Sequence, residues 1–221
     1  MYLRKIFENY ITIYMKVTVL KKKGKKEVIN RIELNDLAAA IKDGLIQGTV
    51  KYTREIYHLM NPHRLADGQI STQWEGGVKL PRICFAADYQ TQKGEWRMID
   101  YNGLVVLEVN DLQTYEKAVE VRELAKKLPE TMLCFLGGSG RSVKIVCRGE
   151  LYGGGLPKGE EEISLFHLNL YNTARRSYQN QFNFDIEFLE PRLDRTVYMS
   201  ADPETGFNPD ARPFYADTNR H

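Results

Sequence analysis

The sequence predicts a single α+β domain. Short apolar runs bounded by turn residues read as strands, and between them lie stretches that keep apolar residues at helical spacing. With 221 residues and 43% hydrophobic content there is material for one sizeable core. Basic residues number 31 against 29 acidic ones, a net charge of +2, so bulk charge argues for no partner and any electrostatic footprint must come from local clusters. No run approaches the ~20 apolar residues of a membrane span, which makes the expected setting cytoplasmic, without a membrane partner. Cys84, Cys134 and Cys147 lie in apolar stretches without the close pairing of zinc or redox motifs, and are expected as reduced core residues.

Met1–Tyr14 is interrupted by Arg4, Lys5, Glu8 and Asn9, which denies it a continuous signal-peptide core. Met15-Lys16 opens a cleaner strand, so residues 1–14 read as an appended helix or an upstream translation start, 15–215 as the domain and 216–221 as a tail. Lys16–Leu20 and Glu27–Ile32 form the pattern of a hairpin. Its turn carries Lys21, Lys22, Lys23, Lys25 and Lys26, either a solvated turn, the more ordinary reading, or a phosphate-contacting finger. Asn35 or Asp36 caps a helix with Leu37, Ile41 and Leu45 on one face and Gly48 at its end, and a second helix runs from Tyr52 to Leu59. Residues 61–77, with Trp74, read as a loop.

Pro81–Ala86 and Leu104–Val109 are strands buried on both faces. Asp111 offers a cap for a helix carrying Tyr115, Ala118, Val121, Leu124, Ala125 and Leu128, stopped by Pro129. Met132–Leu136 and Val143–Val146 are strands joined by a glycine turn, and Tyr152–Pro157 is a joint. Ser164 caps a helix to Gln181 with Leu165, Leu168, Tyr171, Ala174 and Tyr178 on one stripe. His167, beside that stripe, reads as a core histidine rather than a base. Phe184–Phe188 and Thr196–Met199 are strand-like, and a proline-rich coil follows.

Two segments can carry chemistry. Glu108 and Asn110, two apart at the end of a strand, point the same way. That spacing of oxygen ligands suits a hard divalent cation, although such sites usually offer two carboxylates, and a solvated strand end with a helix cap fits equally simple chemistry. Gly137-Gly138-Ser139-Gly140-Arg141-Ser142-Val143-Lys144 joins two strands; its glycines permit backbone N–H groups to face an anion, with Arg141 and Lys144 adding charge, or they serve only the geometry of a tight hairpin. It matches neither the P-loop nor the dinucleotide fingerprint. Asp185, Arg195, Ser200, Asp202 and Asn208 follow as polar residues around strand ends and turns. No serine or cysteine nucleophile has an evident partner.

Taken in order, the strand ending in Glu108 and Asn110, the turn with Ser139, Gly140 and Lys144, then Asp185, Arg195 and the Ser200-x-Asp202-Pro203 and Asn208-Pro209 pair resemble the archaeo-eukaryotic primase and primase-polymerase superfamily. The nearest likeness is to the VirE N-terminal-domain family, primase-like modules of mobile elements and phages that often precede a helicase. The resemblance spans about Lys16 to Phe214. It implies two α+β layers around a central, largely antiparallel sheet of RNA-recognition-like topology, with helices on one face and the site on the other. It implies metal binding, Mg²⁺ or Mn²⁺, and catalysis at Glu108, Asn110 and Asp185, where relatives carry Asp-x-Asp in the first motif. Ser139, Gly140, Arg141, Lys144 and Arg195 would then serve a nucleoside triphosphate, and Lys22, Lys23, Arg175 and Arg176 single-stranded nucleic acid. The resemblance thus implies a nucleotidyltransferase of primase type, or a decayed relative that binds nucleic acid or a partner protein without polymerase activity, since Glu108 and Asn110 both depart from the metal motif and Asn110 is neutral.

Overall fold

The β-branched run at Val143–Cys147 makes β8 (Val143–Leu151) the axis of the fold, because every side chain there is buried. In this computed structural model, which describes residues 15–24, 26–60, 80–182 and 186–219, β8 pairs antiparallel with β6 (Leu104–Val109) and with β7 (Thr131–Leu136). The short strand β10 (Gly206–Phe207) extends β7, and β11 (Phe214–Ala216) runs parallel to the end of β8. A second antiparallel sheet has the order β2 (Lys26–Glu33), β1 (Lys16–Lys23), β3 (Arg82–Cys84), β9 (Val197–Tyr198). The two strands β4 (Ala87–Gln92) and β5 (Glu95–Tyr101) form a separate hairpin.

Alternation along β6 explains the layers. Val105, Leu107 and Val109 face a core shared with α3 (Tyr115–Lys126) and α4 (Glu160–Phe182), through Val121, Ala125, Phe166, Leu170 and Tyr178. Leu104 and Val106 face the opposite way, into a core with Val17, Val19, Ile83 and Phe85 of the second sheet and with Leu37 and Ile41 of α1 (Leu34–Lys42). α2 (Gln47–Met60) packs Val50 against Leu80 and Ala201. The result is two α+β layers around a largely antiparallel central sheet, with α3 and α4 on one face. Among the described residues no helix is long and apolar enough to cross a membrane. Cys84, Cys134 and Cys147 are buried free thiols, as expected.

Several local expectations are corrected. α1 follows directly on β2 with Glu33 at its N-cap position and no side-chain cap, so Asn35 and Asp36 lie inside its first turn. It ends at Lys42, before Gly44 in the left-handed region, which leaves Leu45 69% exposed rather than on its apolar face. Thr114, not Asp111, caps α3 by accepting from Lys117 N at 3.1 Å, while Asp111 takes a left-handed φ of 55° in the connection. α4 begins at Glu160, and Ser164 donates back to Glu160 O within the helix. Leu168 is exposed because Ile163, Phe166 and Leu170 turn the buried stripe. Residues 186–188 form no strand, whereas the proline-rich end contributes β10 and β11; Ala216, placed in the expected tail, is buried. The N-terminal extension 1–14 and the loop 61–77 lie outside the described residues.

His167 is a core residue. It is 4% exposed, its Nδ1 lies 3.1 Å from Tyr101 Oη, and burial pushes its pKa from an ordinary 6.5 to about 4. The unfolded chain therefore takes up this proton first as the pH falls. Stability from this group is complete above about pH 6.5 and declines through pH 4, by a total on the order of 3 kcal/mol. Urea unfolding between pH 7.5 and 4.5 is expected to show this decline, and His167→Gln is expected to flatten it; an equal slope in the variant would place the acid sensitivity elsewhere.

Candidate functional site

The register of β6 against β8 sets Glu108 opposite Lys144, on the face of the sheet turned away from α3 and α4, while the next pair, Val109 and Val143, faces those helices. Both partners are nearly buried, Glu108 at 8% and Lys144 at 7% exposure. Lys144 Nζ binds Glu108 Oε2 and also donates to Asn110 Oδ1 at 3.0 Å. Arg195, from the loop before β9, donates through Nη2 to Glu108 Oε1 at 2.8 Å. Burial alone would raise the Glu108 carboxyl, but Lys144 and Arg195 outweigh it and hold the group below the ordinary carboxylate range. Glu108 thus has a cation on each oxygen. Arg195 Nε is buried without a hydrogen-bond partner.

The glycine segment is a closed hairpin turn. Gly137 N donates to Ser142 O at 2.8 Å, Gly140 N to Gly137 O at 2.9 Å, and Arg141 N to Ser139 Oγ at 3.2 Å. Those three N–H groups are engaged within the turn itself, as a tight hairpin requires. Gly137 is required because Ser142 Oγ lies 2.1 Å from where its Cβ would stand, and Gly140 because its φ is +73°. Leu112 N donates to Arg141 O at 3.0 Å, tying the exit of β6 to this turn.

Side chains that the sequence did not single out for chemistry complete the surroundings. Arg54 of α2 lies with its guanidinium 5.9 Å from the ring centroid of Tyr115, and Arg141 with its own 5.7 Å from that of Tyr57. Only the fold reveals them: α2 stands far upstream in the chain, and no motif links it to the turn. Lys144 and Arg195 thus hold Glu108, while Arg54 approaches the glycine turn at Gly140 and Arg141 lies within it.

Asp202 has a structural task. Its Oδ1 accepts from Arg122 Nη1 at 2.6 Å and its Oδ2 from Leu136 N at 2.8 Å, and its own N–H donates to Ile41 O at 3.0 Å. This buried ion pair joins α3, the end of β7 and α1 to the chain after β9. Asn208 accepts from Asp210 N at 3.1 Å, an ordinary turn, and Ser200 Oγ is buried without a partner.

The remaining expected residues are dispersed. Lys22 and Lys23 stand exposed at the tip of the β1–β2 hairpin and share no element with Glu108, Lys144 or Arg195. Arg175 donates through Nε to Ile186 O at 2.6 Å and covers Phe188, while Arg176 is exposed on α4. Asp185 lies outside the described residues. A divalent cation needs several oxygen donors with surplus negative charge. Glu108 and Asn110 instead face an ammonium and a guanidinium, and this described donor set does not fit such an ion. Among the described residues no group of three or more His, Cys, Asp or Glu could hold a metal.

The family model for the BT4734-like, N-terminal domain matches residues 77–207, more than half of the chain. The chain belongs to this family. The family span covers β3 to β10 and so includes Glu108, the glycine turn, Lys144, Arg195 and Asp202, whereas Arg54 precedes it. The family's description names no primase, and no curated protein and no solved structure matches the chain.

Within that family span, Asp202→Ala is expected to destabilise the protein by about 3 kcal/mol, since it leaves the buried Arg122 with only the half-exposed Glu123 as counter-charge and removes the acceptor of Leu136 N. Denaturant unfolding measures this. A stability equal to that of the parent chain, with altered ligand binding, would make Asp202 a binding group instead.

Proposed function

We propose that this chain is a primase-polymerase-like domain that binds the phosphates of a nucleoside triphosphate and of single-stranded nucleic acid. The supporting observation is the buried Glu108 held between Lys144 and Arg195 beside the glycine turn. A carboxylate that occupies two cations in a water-poor site stands where a phosphate oxygen would serve as well. Arg141 adds charge at the same turn. The nucleoside part and the setting, a mobile element or phage with a helicase nearby, come from the resemblance in motif order.

On this reading the domain acts first as a binding module, the variant of the primase likeness in which catalysis has been lost. Metal-dependent nucleotidyl transfer at Glu108, Asn110 and Asp185 is the second reading. It draws on Lys144 and Arg195 holding the Glu108 carboxyl below the ordinary carboxylate range, and it requires Lys144 and Arg195 to leave the carboxylate.

Titration of a fluorescent nucleoside triphosphate should find Lys144→Ala weaker than the parent by about 1.5–3 kcal/mol, the range for a charge-assisted hydrogen bond. Unaltered affinity would return the turn to a purely structural role. In a primer synthesis and extension assay with magnesium or manganese, the binding reading expects no product alongside intact single-strand binding, and product formation would select the transferase.

A further inference from the structure

We infer that Arg54 is a ligand for a second phosphoryl group, which makes this a site for polyphosphates rather than for a single phosphate. The inference rests on the phosphate-binding reading above and adds the class of anion. Two arginines near Asp202 show the contrast. Arg122 is satisfied, bonded to Asp202 and to Glu123. Arg54, partly buried, donates through one Nη to Ala201 O at 3.1 Å, and its Nε is buried without a hydrogen-bond partner. Among the described residues no carboxylate accepts from it in a hydrogen bond or ion pair: Asp202 is engaged by Arg122 and Leu136 N, and the neighbouring Glu55 shares only the lining of a hollow with it. Burial, partly offset by Tyr115 and Asp202, lowers its pKa from the ordinary value, as expected for a cation short of counter-charge. Such a buried donor calls for an acceptor that arrives from outside.

The position of Arg54 states which acceptor. The place of a Cβ on Gly140 lies 3.4 Å from Arg54 Nε, and that of a Cβ on Gly137 lies 3.5 Å from Lys144 Cε. Gly137 and Gly140 are the two ends of one β-turn, closed by the Gly140 N–H to Gly137 O bond. The ends of such a turn lie within about 7 Å. Arg54 and Lys144 therefore flank the same turn from opposite ends, spaced by its width. Adjacent phosphoryl groups of one chain can reach both cations, whereas orthophosphate occupies one. A hollow of about 230 Å³, lined by Gln47, Lys51, Arg54 and Ala201 among others, adjoins Arg54. The missing Cβ at Gly140 keeps the approach open.

Calorimetric titration of orthophosphate, pyrophosphate and tripolyphosphate into the full chain and into Arg54→Met and Arg54→Lys tests this. Arg54→Met, which keeps the apolar stem, is expected to lose about tenfold or more in tripolyphosphate affinity while orthophosphate affinity stays within about twofold. Arg54→Lys should fall between the two. Equal losses for both anions, or tripolyphosphate binding unchanged, would overturn the inference. If Arg54→Met fails to fold, Arg54→Lys decides alone: a loss confined to the longer anions supports the proposal and an unchanged profile overturns it. A parent chain that binds none of the three would remove the phosphate reading together with this one. A parent that binds all three with no dependence on Arg54 would remove only this one.

Discussion

A carboxylate as buried as Glu108 stays ionised only where cations stand against it, and Lys144 and Arg195 do so from β8 and from the loop before β9. The arrangement constrains much around it. β6 and β8 must keep the register that places Glu108 across from Lys144, since a slip of β6 by one residue would turn Glu108 into the core behind the sheet, away from Lys144. The loop that carries Arg195 must stay against the sheet, and it is secured by the Arg195 N–H to Arg192 O bond and by Cys84 Sγ on Leu193 O. Buried ion pairs are a weak source of stability, because desolvation offsets most of the Coulomb attraction. A cluster of this kind invites the question of what else its cations bind, and a phosphate is the natural competitor for a carboxylate.

The second charged network has a different character. Arg122 bonds to Asp202, and Asp202 in turn to Leu136 N and Ile41 O, contacts that join one element to another. It is a staple. Arg54 and Arg195 each retain a buried Nε without a hydrogen-bond partner. This difference separates a structural charge from one placed for a ligand.

Much of this was legible in the sequence and some was not. The alternation in Leu107-Glu108-Val109-Asn110 placed Glu108 and Asn110 on one face, and both indeed reach Lys144 Nζ. The glycine turn and the two strands it joins were read correctly. The identity of Glu108's partners was not legible, because cross-strand register and the path of the loop to Arg195 are tertiary facts. Lys144 was expected to await phosphate, yet it lies on the carboxylate that was expected to await metal. The β4–β5 hairpin escaped notice because Asp88-Tyr89-Gln90-Thr91-Gln92 has little apolar alternation, and Asp88 is instead buried by its ion pair with Arg31. Tyr115 was read only as a helix face; its 42% exposure and place beside Arg54 give it another neighbour. The family match spans Glu108, the glycine turn, Lys144 and Arg195 but not Arg54.

The central claim is that Glu108 holds the place of a phosphate. The affinity of Glu108→Gln for a nucleoside triphosphate, measured with divalent metal removed by chelation, tests it most directly. Glutamine keeps the shape and removes the competing charge, so binding is expected to be tighter than in the parent chain. Weaker binding without metal would contradict the account and make Glu108 a contributor to ligand binding rather than a stand-in for it.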